Sequence, residues 1–147
     1  MNPFTSIEIA GLNVLLVDDE VFIREMGSDV LSMLGCIPTI ASNGREAWEI
    51  VRDNPVLFDV VISDHNMPEM SGIGLASKIF QVRPNMPFII STGFASGFTE
   101  KHAAELGISY ILPKPYVIQQ LKDAIVNAVA NATTARSTYT TFHKECS

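Results

Sequence analysis

The sequence predicts an α/β domain in which five βα units are arranged around a parallel sheet. Three observations lead there. From Asn13 onward, short β-rich apolar runs alternate with amphipathic stretches of helical length. The first and third runs are continuous rather than alternating, as in strands buried on both faces, and each ends in an acid. Finally, 147 residues that are 47% apolar suit one compact unit with one hydrophobic core.

The elements follow in order. Leu12 to Val17 (LNVLLV) is the first strand and runs into Asp18-Asp19. Val21, Phe22, Met26, Val30, Leu31 and Leu34 then recur near helical spacing, with Gly35 as a C-cap. Pro38 to Ala41 reads as the second strand. Asn43, with Glu46 three residues on, suggests a capping box opening a helix whose Trp48 faces the core. Phe58 to Ser63 (FDVVIS) is the third strand, ending at Asp64, and Asn66-Met67-Pro68 turns the chain into a helix from Gly72 to Val82. Pro87 to Ile90 is the fourth strand, ending in Ser91-Thr92-Gly93 and followed by a helix around Phe98 to Leu106. Tyr110 to Leu112 is the fifth, running into Pro113-Lys114-Pro115. The last helix spans Val117 to Ala130, with Val117, Leu121, Ile125 and Val129 on one face. Residues 1–11 read as an N-terminal extension, 12–130 as the domain, and 131–147 as a tail or the start of a linker.

Composition narrows the function classes. A net charge of -6 argues against binding nucleic acid, which relies on clustered Lys and Arg. No stretch reaches the about 18 uncharged apolar residues of a membrane span, and no signal sequence is recognisable, so a cytoplasmic protein is expected. Cys36 and Cys146 lack metal-ligand spacing and read as free thiols. His65, His102 and His143 read as surface residues, and Met67, Met70 and Met86 as packing.

The chemistry gathers where an open parallel sheet binds its ligands, beyond the carboxyl ends of the strands. Asp18 and Asp19 end strand one, Asp64 strand three and Thr92 strand four, and Lys114 follows strand five. Three crowded carboxylates repel one another, and a hard divalent cation relieves this. Magnesium suits such oxygen ligands and keeps positions open for phosphate oxygens, and manganese could take its place. With Lys114 it would stabilise charge on a transferring phosphoryl group. A carboxylate nucleophile giving an aspartyl phosphate is a recognised route, and Asp64 is best placed for it, with Asp18-Asp19 as metal clamp and Thr92 as hydrogen-bond donor. Taken alone, Asp18-Asp19-Glu20 could be no more than the acidic first turn of a helix. The residues at the other strand ends favour a site.

Taken together, Asp18-Asp19-Glu20, the stretch Asp64 to Gly72 (DHNMPEMSG), Ser91-Thr92 and Pro113-Lys114-Pro115 make the chain, from about Leu12 to Ala130, resemble the receiver domain of two-component response regulators. The resemblance implies a flavodoxin-like (βα)5 three-layer sandwich with sheet order 2-1-3-4-5. It implies that Asp64 accepts a phosphoryl group from a phosphohistidine on a sensor histidine kinase or histidine phosphotransfer protein. It further implies magnesium held by Asp19 and Asp64, by Asp18 through water and by the backbone carbonyl of Asn66. Thr92 would act as a switch together with the position three before the lysine, where Ile111 replaces the expected aromatic. Helix one would meet the phosphodonor, and the helix-four, strand-five, helix-five face a downstream protein target. Lys114-Pro115 would be cis. Phe94 and Asn66 are expected to tune the lifetime of the phosphoryl group.

Other classes fit less well. A haloacid-dehalogenase-like phosphatase needs an Asp-x-Asp motif after strand one, which Asp18-Asp19-Glu20-Val21 lacks, and no Gly-x-x-x-x-Gly-Lys loop marks a nucleotide hydrolase. A receiver-like module that is never phosphorylated remains the third reading. No output domain is recognisable after the last helix, as in a stand-alone receiver or one cut from a longer protein.

Overall fold

In a computed structural model, which describes residues 9–93 and 100–131, five strands form one parallel sheet. They are β1 (Asn13–Val17), β2 (Ile37–Ala41), β3 (Val60–Asp64), β4 (Phe88–Thr92) and β5 (Tyr110–Pro113), in the order β2-β1-β3-β4-β5. The helices are α1 (Val21–Met33), α2 (Gly44–Asp53), α3 (Gly72–Val82), α4 (Glu100–Glu105) and α5 (118–131). This is the flavodoxin-like three-layer arrangement the sequence predicts.

Alternation along each strand splits the core into two layers. Leu15, Val17, Val61, Phe88 and Ile90 pack with Ala47, Val51, Leu75 and Ile79 beneath α2, α3 and α4. Val14, Leu16, Val60, Ile62, Ile89 and Leu112 pack with Leu31, Leu121 and Ile125 beneath α1 and α5. The central strands β3 and β4 are buried at every position, so both their faces are covered. Truncating Ile62 or Ile89, both buried, to alanine would cost about 2–5 kcal/mol.

Several local expectations are corrected. The apolar stripe predicted for α1 is only half inward. Gly27 and Leu31 are buried, whereas Phe22 is 80% and Met26 63% exposed. The close approach of α1 explains the choice, since a Cβ at Gly27 would stand 2.7 Å from Leu16 Cδ2. The stripe of α5 is likewise shifted: Leu121, Ala124, Ile125 and Ala128 are buried, and Val117 lies before the helix, exposed.

Asn43 caps α2 through a 2.8 Å bond from the Glu46 amide, but the box does not close. The Glu46 carboxylate accepts instead from the Ser42 hydroxyl at 2.8 Å. Trp48 is half-buried against the core, with the Lys78 ammonium 5.7 Å from its ring centre. Gly35 follows α1 with φ of 89°, a left-handed position that suits glycine. His65 is half-buried rather than on the surface, and His102 is exposed. Met67 and Met86 are core residues, and Cys36 is a buried free thiol that donates to the Ile9 carbonyl. Phe94, Cys146 and His143 lie outside the described residues. Among the described residues, no helix is long and apolar enough to cross a membrane.

Candidate functional site

The site is assembled by strand ends and by the turns that leave them. Asp18 follows β1 directly, and its amide donates to the Ala41 carbonyl at 3.2 Å, which carries the sheet's bonding one residue past the strand. Its Oδ1 accepts from the Glu20 amide at 2.9 Å, closing an Asx turn into α1. One helical turn later, Arg24 folds back and donates from Nη1 to the Asp18 carbonyl at 2.7 Å. Asp64 ends β3, and the next amide, of His65, donates to the Ser91 carbonyl at 3.0 Å. On the β5 side, the Lys114 amide donates to the Thr92 carbonyl at 2.8 Å, and the Lys114-Pro115 bond is cis as expected.

These turns bring the predicted charges together. Lys114 Nζ lies 3.1 Å from Asp18 Oδ2 and 3.3 Å from Asp64 Oδ1, with both carboxylates buried. Asp19, which is exposed, completes a cluster: one carboxylate oxygen from each of Asp18, Asp19 and Asp64 lies within 4.8 Å of the others. Such a set of hard oxygen donors fits a small divalent cation. Asn66 is exposed, its amide 3.4 Å from Asp64 Oδ1.

Electrostatics match this crowding. Burial pushes the Asp64 carboxyl above the usual carboxylate range, Lys114 pulls it partly back, and Asp18 pushes it up again. Burial works against charge on Lys114 too, but Asp18 and Asp64 more than offset this, and the ammonium is held above its ordinary value. Lys114 is therefore a firmly fixed cation between two acids.

Thr92 and Ile111 lie elsewhere. The Thr92 hydroxyl donates to the Gly93 carbonyl at 3.4 Å rather than to a carboxylate. By the period of two along a strand, Thr92 shares the face of Ile90, whose register partner is Ile111, and Ile111 packs in the α2-α3-α4 layer. Asp64, in step with Val60 and Ile62, belongs to the opposite face of its strand. Tyr110 packs in the α1-α5 layer, as the alternation requires.

Sequence reasoning missed Arg24 and Tyr116. Arg24 was findable from its place one turn inside a helix that begins right after the acidic pair. Tyr116, two residues past Lys114, has its phenol pKa raised by burial. With Lys114, Ile23, Met26, Val30 and Ile118 it walls an apolar cavity of about 400 Å³ between α1 and the start of α5.

A parallel five-stranded sheet with a carboxylate cluster and a lysine at the carboxyl ends of its strands defines a phosphoacceptor switch of two-component signalling, rather than a conventional enzyme. A family model described as the response regulator receiver domain matches residues 14–126, and the chain belongs to that family. It is 38% identical over 118 residues to a probable chemotaxis protein CheY of Rhizobium etli, covering 78% of this chain and 89% of that one. Chemotaxis protein CheY of Thermotoga maritima is 31% identical, covering 78% of this chain and 95% of its own. Among solved structures, a response regulator receiver domain protein from Clostridium thermocellum superposes with a TM-score of 0.79 at 31% identity, covering 84% of this chain and 98% of its own. A sensor kinase, CckA of Brucella abortus, is 34% identical, with the match covering 76% of this chain and 12% of the kinase. Receiver domains work with histidine kinases and with downstream targets.

Proposed function

We propose that residues 12–130 act as a receiver domain, flanked by an extension at 1–11 and a tail at 131–147, and that Asp64 accepts the phosphoryl group. The observation that carries this is the contact of Lys114 with both Asp18 and Asp64, with Asp19 completing the cluster. An Asp64 carboxylate oxygen attacks phosphorus as the N–P bond of a donor phosphohistidine breaks, and the electron pair of that bond leaves with the imidazole. Lys114 balances the anion, and the Thr92 hydroxyl turns from the Gly93 carbonyl toward a phosphoryl oxygen. Asp19 and Asp64, with the Asn66 backbone carbonyl and with Asp18 through water, would hold magnesium, or manganese in its place. When bound, the metal neutralises charge shared by the carboxylates and the phosphoryl oxygens. The domain catalyses its own phosphorylation and dephosphorylation and turns over no other substrate.

Signalling then runs from Thr92 to its face of the sheet, where Ile111 stands, and on to the α4-β5-α5 surface that a downstream protein reads. The phosphodonor, a sensor histidine kinase or phosphotransfer protein, docks on α1. The protein works in the cytoplasm without binding nucleic acid or membrane. The test is incubation with acetyl phosphate, or with beryllofluoride, plus magnesium. One phosphoryl equivalent on Asp64 by mass spectrometry, absent in Asp64→Asn, supports the reading. Turnover of many equivalents without a lasting adduct points to a phosphatase, and no adduct at all to a silent module.

A further inference from the structure

Ser91 carries a hydroxyl that the roles above leave unused. It is 3% exposed, and its Oγ is buried with no hydrogen-bond partner. A buried hydroxyl without a partner is costly, and in a native site it calls for an explanation. Its position offers one. In the sheet register Ser91 is the direct partner of Asp64 on one side and of Leu112 on the other. Register partners in a parallel sheet share a face, so Ser91 stands on the face of Asp64 and Leu112, opposite to Thr92. The layer on that face, which holds Ile62, Ile89 and Leu112, is apolar. Neighbouring strands lie about 4.8 Å apart, so the side chains of Ser91 and Asp64 stand side by side on that face. In the present arrangement that carboxylate leans on Lys114 and the Asn66 amide through Oδ1, and the hydroxyl is left over.

We propose that Ser91 is a positioning residue for dephosphorylation, donating its hydroxyl to the Asp64 carboxyl group once Lys114 has turned to the phosphoryl oxygens. This rests on Asp64 being the acceptor. In the loss step, water attacks phosphorus and the P–O bond to Asp64 breaks. The electron pair stays on the carboxylate, and phosphate leaves with the water oxygen and its protons. A donor beside the carboxyl group stabilises the negative charge that arrives there more than it stabilises the neutral acyl oxygen. The same bond stabilises the free carboxylate, so it holds back uptake while it speeds release. Ser91 thereby shortens the life of the phosphorylated state.

The experiment compares wild type, Ser91→Ala and Ser91→Thr, each labelled with acetyl phosphate and magnesium and then freed of donor. Ser91→Ala is expected to lose phosphate about three- to tenfold more slowly, with uptake unchanged or faster. Ser91→Thr, which keeps the hydroxyl, stays near the wild-type rate. Disturbed packing would instead slow uptake and affect both variants. Equal loss rates in wild type and Ser91→Ala, or equal changes in both variants, overturn the role of Ser91 while leaving Asp64 as acceptor. Failure of the wild type to take up phosphate overturns both. If Ser91→Ala does not fold, Ser91→Cys, close in volume and a far weaker donor, takes its place with the same expectations.

Discussion

Lys114 Nζ stands 3.3 Å from Asp64 Oδ1, and it spans β4 to do so, because Lys114 follows β5 whereas Asp64 ends β3. The ammonium therefore joins sheet positions that are two strands apart, and it holds Asp18 at 3.1 Å as well. Two acids at this end of the sheet, Asp18 and Asp64, thus share one ammonium.

Removing that cation leaves two buried carboxylates facing each other. Lys114→Ala is expected to lower the stability of the metal-free domain by about 1–3 kcal/mol, since buried charges lose their partner. Magnesium should restore much of this by taking over the neutralisation. Urea denaturation with and without magnesium measures both. A loss of stability that magnesium leaves untouched would show that the lysine matters for packing and not for charge.

Asp64→Asn should act in the opposite direction on stability. Burial, offset in part by Lys114 and reinforced by Asp18, holds the Asp64 carboxyl above its ordinary value, so ionisation costs the folded state. A group raised in this way favours the fold while protonated, and that benefit is lost as pH rises from 3.8 through the folded value. At pH 7 without metal, the neutral amide is expected to leave stability unchanged or raise it by up to about 1 kcal/mol. The variant should no longer be stabilised by magnesium as the wild type is. Thermal melts at several magnesium concentrations decide it.

The strand ends were legible because the information is local. LNVLLV and FDVVIS are apolar runs that stop at Asp18-Asp19 and Asp64, and a buried parallel strand must stop where charge begins. Lys114 was legible for the same reason, lying just past a short apolar run. The inward face of α1 was not, because a period of 3.6 fixes which residues share a side and not which side meets the sheet. Leu16 beneath Gly27 decides that, and it puts Phe22 and Met26 in solvent. The place of Thr92 was legible but not the direction of its hydroxyl, and the Ser91 environment depends on register with β3 and β5, which no local pattern encodes.

Gly72 stands where no side chain fits. A Cβ there would lie 2.7 Å from the Asp64 carbonyl oxygen and 3.2 Å from His65 Cα, and backbone cannot swing aside as a flexible side chain can. Gly72→Ala is expected to cost about 1–3 kcal/mol and to slow phosphoryl uptake, because the strain falls on the residue that carries Asp64. Gly93→Ala is the control, since a Cβ there meets nothing within 4 Å. It should be neutral or slightly stabilising. Equal melting temperatures for Gly72→Ala and wild type would refute the steric account.

Alkaline pH should weaken the fold through three groups acting in one direction. Burial raises the Cys36 thiol above 9.0 and the Tyr116 phenol above 10.0, and Asp18 and Asp64 overcome burial to raise Lys114 above 10.5. Each holds its proton more tightly folded than unfolded, so its contribution is complete below the unfolded value and is lost as pH rises through the folded one. Stability should therefore decline from about pH 9 upward, beginning with Cys36. Urea midpoints between pH 7 and 10.5 follow the decline, and Cys36→Ala should flatten its first part.

The exposed start of α1 yields a prediction that separates docking from chemistry. Phe22 is 80% exposed and Met26 63%, on the helix that opens directly after the acidic pair. Apolar side chains in solvent contribute little to the fold, so Phe22→Ser should change stability by no more than about 0.5 kcal/mol. If α1 receives the phosphodonor, burying Phe22 against that protein supplies binding energy that a hydroxyl cannot, and truncated interface aromatics commonly cost about 1–3 kcal/mol. Transfer from a phosphorylated histidine phosphotransfer protein should then fall about tenfold or more at limiting donor. Acetyl phosphate, which needs no protein surface, should label the variant at the wild-type rate. Loss with both donors would place the defect in the site itself, and loss with neither would remove α1 as the docking face.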